Sequence, residues 1–181
     1  MRGIIILSLV LTVLACQPEE KQTTTTHYQY NTEIEQAKNV EILYSEEGKV
    51  RVKIEAPILV RHNTKDPYSE FPDGIKGEFY NDNLQPTSYL KACYATKKER
   101  QNEVHIYEDI EVLTTKGDMI LTEKLIWQEK SKRIFSDTIV TIITKTEEIT
   151  GTSFEATQDF SEYTIRNISG IKRVDKNQIR D

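Results

Sequence analysis

The sequence predicts an all-β protein assembled from repeated strand pairs, and three observations carry that prediction. Thr, Ile, Val and Tyr are plentiful, whereas Gly and Pro number only 7 and 5 among 181 residues, a balance that favours long strands over a loop-rich fold. An apolar-x-small-x-x-apolar pattern recurs as Ile54-x-Ala56-x-x-Leu59, Leu90-x-Ala92-x-x-Ala95, Ile120-x-Thr122-x-x-Leu125 and Ile149-x-Gly151-x-x-Phe154. Its last three copies start 30 and 29 residues apart; the first gap, of 36, holds an insertion. A second pattern keeps the same period: Ile106-x-x-Asp109-x-x-Val112 matches Ile134-x-x-Asp137-x-x-Val140, with Thr164-x-x-Asn167-x-x-Gly170 as a worn copy. One strand pair cannot bury its apolar face alone, so a thirty-residue repeat of such pairs must stack. An ordinary β-sandwich with similar strands is the other architecture this pattern allows.

The fold is expected to start at residue 39. Residues 40–44 and 50–54 form a hairpin across Ser45-Glu46-Glu47-Gly48, where Gly48 gives the turn its backbone freedom. Ahead of it, residues 32–38 are expected to form one or two helical turns capped by Thr32. Ala56-Pro57 interrupts the ladder, since Pro57 cannot donate to it, and fits a sheet edge or a bulge. Residues 68–74 read as a turn-rich segment leading to a strand at 75–80, and 88–95 begins the next unit. Polar residues 97–102 separate that unit from a strand at 103–114. In the next pair, strict alternation would split Ile120 from Leu125 and Trp127, so one extra residue at Glu123–Lys124 is expected to return all three to one face. Strands at 148–156 and 163–171 complete about ten. No long helical periodicity is present, which excludes parallel βαβ folds.

The termini read differently. Arg2 precedes an apolar run at residues 4–14 that has the length of a signal-peptide core. The run closes in Val13-Leu14-Ala15-Cys16, which resembles the bacterial lipoprotein signal and implies cleavage before Cys16 followed by its acylation. A plain secretory signal with an incidental cysteine is the alternative. Two or more acyl chains hold a protein stably on a membrane. Residues 16–38 then form a polar tether, residues 39–174 the β-domain and residues 175–181 a charged tail. With Cys16 acylated, Cys93 has no intramolecular partner; inside a strand pattern it reads as a small hydrophobe.

Chemistry is sparse. His27, His62 and His105 fall outside metal-ligand spacing, no cysteine pair supports zinc, and nucleophile-elbow and phosphate-loop patterns are absent. Neither a catalytic residue, a metal nor a cofactor is expected. The net charge of −5 gives no reason to expect nucleic acid. Asp109 and Asp137 repeat with the fold, which points to hydrogen bonding at turns and strand ends.

Four segments, in order, carry a family resemblance: Asn39-Val-Glu-Ile-Leu-Tyr-Ser-Glu-Glu-Gly-Lys-Val-Arg-Val-Lys-Ile-Glu-Ala-Pro57, Tyr68-x-x-Phe71-Pro72-Asp73-Gly74-Ile75, Gly117-Asp-Met-Ile-Leu-Thr-Glu-x-Leu125-x-Trp127 and Ile149-Thr-Gly-Thr-Ser-Phe-Glu-Ala156. Together with the lipoprotein-like leader they resemble the LptC family of the lipopolysaccharide export machine, in its Bacteroidetes-like form. The resemblance implies an open, twisted β-jelly-roll, a folded-over antiparallel sheet whose apolar inside holds lipopolysaccharide acyl chains. It implies no catalysis. It implies a relay that takes lipopolysaccharide from inner-membrane ABC transporter subunits and passes it, by sheet-edge pairing, to a periplasmic bridge protein of the same fold. Many members carry an uncleaved transmembrane helix where this chain has Cys16, and the expected location is the periplasm, lipid-anchored at the inner membrane.

On that reading the lipid wall comprises Ile54, Ala56, Leu59, Leu90, Ala92, Ile120, Thr122, Leu125, Trp127, Ile149 and Phe154. The small residues at the third position of the pattern are expected to leave room between the walls. The competing classes are a structural or adhesive β-sandwich lipoprotein of the envelope, and a carbohydrate-binding module using exposed aromatics.

Overall fold

The computed structural model describes residues 33–173. The expected signal peptide, Cys16, most of the tether and the charged tail lie outside the described residues. The described chain is a β-jelly-roll-like structure, a single antiparallel sheet of twelve strands. These are β1 Ile34–Glu46, β2 Lys49–His62, β3 Tyr68–Phe71, β4 Ile75–Tyr80, β5 Pro86–Ala92, β6 Tyr94–Lys98, β7 Glu103–Thr114, β8 Met119–Gln128, β9 Arg133–Ser136, β10 Val140–Ile143, β11 Glu147–Thr157 and β12 Tyr163–Arg173.

The sheet folds over because each long inner strand changes partner halfway along its length. The first half of β2 pairs β4 and its second half pairs β3. Likewise β7 pairs β6 and then β5, β8 pairs β10 and then β9, and β11 pairs β10 and then β9. One layer therefore contains β4, β5 and β10 with the adjoining halves of the long strands. The other contains β3, β6 and β9 with the remaining halves.

The crease between the layers is written in the backbone. Asn39, Gly74, Glu108, Asp109, Ser153 and Asn167 all have positive φ, between 47° and 81°. Asp and Asn enter this left-handed region at lower cost than other non-glycine residues, since their short polar side chains bond locally. That is why the returning pattern keeps Asp109 and Asn167. Asp137 marks the crease otherwise: the returning strand breaks into β9 and β10 there, and the carboxylate takes the Lys124 ammonium at 3.0 Å.

The face shift expected in β8 is present, but the extra residue expected at Glu123–Lys124 lies on the facing strand β7 instead. Ile120, Thr122, Leu125 and Trp127 are all buried, with Glu123 and Lys124 the two successive residues turned outward. On the facing strand, Glu108 and Asp109 together oppose Glu123.

Four expectations are corrected. Residues 34–38 are strand, not helix, because each pairs with the far end of β2 from Ile58 to His62. Tyr68–Phe71, read as turn, is β3, and Lys97 and Lys98 belong to β6; their ladder with each other overrides their polar composition. Cys93 is exposed rather than a core hydrophobe, since it sits on the crease between β5 and β6. Gly151 and Thr122, two of the small residues at the crease, do not hold space open. A Cβ on Gly151 would lie 2.8 Å from the Arg166 carbonyl oxygen, and the Thr122 hydroxyl donates to the Ile139 carbonyl at 2.9 Å. Their size permits close approach of the next backbone.

Opposite the crease, the mouth between the layers is drawn together by Lys132 Nζ on Glu46 Oε2 at 2.7 Å, and the Tyr44 hydroxyl, on the same strand as Glu46, donates to its Oε1 at 2.8 Å. Burial alone would raise the Glu46 carboxyl, but the hydrogen bonds from Lys132 and Tyr44 outweigh it and hold the group below its usual range. Tyr44 is pushed up to about 12, by burial first and then by its bond to Glu46. Its ring meets Trp127 edge-on at 5.1 Å.

Two stability predictions follow from the crease and the mouth. Gly74→Ala forces a Cβ to within 2.3 Å of the Ala92 carbonyl oxygen at φ +81°, whereas Gly48 in its open turn has nothing within 4 Å. Urea unfolding should show Gly74→Ala losing about 2–4 kcal/mol and Gly48→Ala about 1 kcal/mol; equal losses would contradict the crease packing. Because the folded Glu46 carboxyl is depressed, its contribution is complete above the ordinary carboxylate range and disappears as pH falls through the folded value. Glu46→Gln should therefore cost about 1–2 kcal/mol at neutral pH. The gap to the parent should close in acid.

Candidate functional site

The sheet register brings the repeated apolar positions into line. In the first layer Ile42, Ile54, Gly77 and Leu90 stand opposite one another in turn across β1, β2, β4 and β5. The same rung continues through Val112, Ile120, Ile142, Ile149 and Ile171 across β7, β8, β10, β11 and β12. Ile54, Leu90, Ile120 and Ile149, expected as wall residues from the thirty-residue pattern, are thus steps of one rung. In the second layer Phe71, Ala95, Ile106 and Leu125 form a matching rung. Beside it runs Val104, Trp127, Ile134, Ala156 and Tyr163.

Burial along the first rung is graded. Val112 and Ile120 are fully buried and Ile142 is 1 % exposed, Ile149 is half-buried, and Ile171 on the β12 edge is 61 % exposed. The apolar inside of the sheet therefore runs out to solvent at β12. At the other end Ile42 is half-buried on β1. β1 pairs only β2, and β12 only β11, so among the described strands both edges of the sheet are unpaired.

The other expected wall residues are placed as follows. Leu125, Trp127 and Phe154 are buried in the second layer, Leu59 is half-buried beside Ala37 of β1, and Ala56, Ala92 and Thr122 are buried at the crease. The space between the layers is filled by these side chains together with Val52, Phe79, Val140 and Phe160. The interior is a packed core rather than an open trough. A cavity of about 640 Å³ lies along the crease, bordered by outward-facing charged residues such as Glu55, Lys76, Lys91 and Glu111; of the expected wall only Ala56 and Ala92 reach it. Trp127 is 3 % exposed, which removes its ring as a solvent-facing platform for sugar.

Sequence reasoning missed Ile42, Val112, Ile142 and Ile171 on the first rung, and Phe160 at the mouth. Val112 was within reach, as the last position of the returning pattern. Phe160 also left a signal, as the lone aromatic in the polar run Thr157-Gln-Asp-Phe-Ser-Glu162.

The titratable groups serve the sheet. His62 Nε2 lies 3.1 Å from Glu70 Oε2 and its ring stacks on Tyr68 at 4.3 Å. His105 sits between Glu103 at 2.9 Å and the Tyr107 hydroxyl at 3.2 Å, and the His105 contact, ahead of burial, holds the Glu103 carboxyl low. Among the described residues no group of three or more His, Cys, Asp or Glu is placed to hold a metal ion.

The geometry thus offers two facing apolar rungs, joined at a crease, opening at a sheet edge, with no assembled reactive cluster among the described residues. The sequence profile of the family described as lipopolysaccharide-assembly, LptC-related, matches residues 3–168. No curated protein matches the chain. The family is a lipopolysaccharide-transport component of the periplasmic envelope linked to the inner membrane. The matched region takes in the described strands from β1 into β12, and the chain therefore belongs to the LptC-related family of lipopolysaccharide-assembly proteins.

Proposed function

We propose that this protein is a non-enzymatic relay within lipopolysaccharide transport: it takes the lipid from inner-membrane ABC transporter subunits and passes it to a periplasmic bridge protein of the same fold. The observation that carries this reading is the apolar rung from Ile42 to Ile171, buried at its centre and 61 % exposed at its β12 end. Acyl chains bind between the layers against Ile54, Leu59, Leu90, Ile120, Leu125, Trp127, Ile149 and Phe154, with Ala56, Ala92 and Thr122 at the crease. Each buried CH₂ is worth ~0.8 kcal/mol, so a chain of methylenes gains enough to compete with side chains for this surface. The two singly paired edges, β1 and β12, support hand-over by strand addition, in which the partner's edge extends both sheet and rung. Cys16, acylated, anchors the protein in the membrane, and the segment after it is the tether. We assign the anchor to the inner membrane, beside the transporter.

Two experiments test this. A photo-crosslinking residue placed in living cells at 120, 125 or 127 should capture lipopolysaccharide, while position 126, on the opposite face of β8, should not; capture from 126 alone would reverse the wall assignment. Consistently, Leu125→Arg places an unpaired ion in hydrocarbon and should block lipid transit where Ile126→Lys is tolerated. For the anchor, Cys16→Ser should leave the precursor uncleaved or release the protein from membranes. Mass spectrometry of the mature protein should find an acylated Cys16 as its first residue, and an unmodified terminus there rules the anchor out.

A further inference from the structure

The mouth between the layers is closed by the turn joining β11 to β12, residues 157–162. Phe160, at its tip, is 1 % exposed, and its ring meets Phe79 of the opposite layer edge-on at 5.3 Å. The turn is a preformed wedge. The Asp159 carboxylate accepts from the Thr157 hydroxyl at 2.7 Å, the Ser161 hydroxyl at 2.8 Å and the Ser161 amide at 3.1 Å. Its ties to the opposite layer are few: the Thr87 and Ser88 hydroxyls donate to the Asp159 carbonyl at 2.8 and 3.2 Å, Lys116 Nζ to the Ser161 carbonyl at 2.9 Å, and, just past the turn, the Tyr163 hydroxyl to the Asp118 carboxylate at 2.8 Å.

This closed mouth carries costs of its own. Phe160 holds φ at +54°, a left-handed conformation that a bulky residue adopts only where its surroundings impose it. The indole Nε1 of Trp127 and the Gln158 Oε1 are buried with no hydrogen-bond partner in the protein. Phe79 touches both Trp127 and Phe160, so the unpaired indole donor lies one ring away from the plug. A buried donor at the end of an apolar wall suits a molecule whose hydrocarbon ends in an ester or amide carbonyl.

Resting on the relay reading above, we propose that the acyl chain of the lipid enters the β-domain beneath the 157–162 turn, replacing the Phe160 ring against Phe79 and presenting its carbonyl to Trp127 Nε1. The turn is a plug that the lipid must lift. It swings with β12, the strand at which the apolar rung reaches solvent, so the same displacement opens the mouth and the exit edge.

Trp127 is the only tryptophan, so it reports on its own site. The probe is dibromostearate, whose bromines quench indole emission on contact, added to the full-length purified protein. Quenching should appear in the parent chain, and lipopolysaccharide should suppress it by competition. Thr87→Val and Lys116→Met each remove one tie and should speed quenching about fivefold, the factor for one hydrogen bond. Phe160→Ala should speed it further, and Lys116→Arg should restore the parent rate. Quenching rates unchanged by all three loosening variants, in a protein that still binds lipopolysaccharide, overturn the plug and leave the relay standing. Failure of the parent chain to bind lipopolysaccharide overturns the relay, and the plug with it. A photo-reactive phenylalanine at position 160 gives an independent reading. It should crosslink to the β4–β5 segment without lipid and to the lipid when lipopolysaccharide is present; crosslinking to β4–β5 that saturating lipopolysaccharide leaves unchanged also overturns the plug.

Discussion

A sheet that folds over on itself requires every long strand to bend at the same height, and the rest of this structure depends on that constraint. Backbone that leaves the β region is expensive for most residues, so the crease must be built from the few that tolerate it. Gly74, Asp109 and Asn167 meet the requirement directly, Asn39 extends it to the edge strand, and Glu108 and Ser153 take the same conformation at its cost. Where two backbones come closest, only a small side chain fits, as Gly151 shows against Arg166 and Asn167. The conformational and steric demands coincide along one line. That line sets which half of each strand faces which, and so aligns Ile54, Leu90, Ile120 and Ile149 on one rung.

This also explains how far the sequence could be read. The crease repeats every thirty residues or so because each strand pair crosses it twice, and the residues it demands are chemically distinctive. Small third positions and returning Asp or Asn were therefore legible, and the face shift at Glu123–Lys124 follows from them. The purpose of the small residues was not legible, because a pattern of spacing does not distinguish room left for a ligand from room taken by a neighbouring backbone. The strand at residues 34–38 was missed for a related reason. Its side chains are exposed on both faces, so no alternation marks it, and only its ladder with β2 makes it a strand. Phe160 escaped because its burial comes from the opposite layer, across a separation in sequence that local patterning does not see.

Family membership gives the protein a part in lipopolysaccharide transport, while its interior is packed with its own side chains. The two facts agree once the direction of the energy is considered. Hydrophobic burial has no preferred partner, so an acyl chain and a phenyl ring compete for the same apolar wall on nearly equal terms. A carrier that held its walls apart would expose a large apolar surface to water and invite aggregation. Packing the walls against each other keeps that surface covered until lipid substitutes for the contact, and makes release as accessible as uptake.

The two closures of the molecule differ in kind, which matters for where it can yield. At the crease the layers are joined by continuous backbone, with glycine contacts that no side-chain movement relieves. At the mouth they are joined by an ion pair, three ties from hydroxyls and a lysine to backbone carbonyls, the Tyr163 hydroxyl on the Asp118 carboxylate, and ring edges. Each such contact has a net worth of about 1 kcal/mol, because water replaces it when it breaks. Separation of the layers must therefore begin at the mouth and pivot at the crease. Within the mouth the ion pair, with Lys132 half exposed, lies by the β1–β2 turn, whereas the carbonyl ties and the Tyr163 hydroxyl on the Asp118 carboxylate lie by the turn into β12. The β12 side is the one where Ile171 already stands in solvent and the rung already leads out.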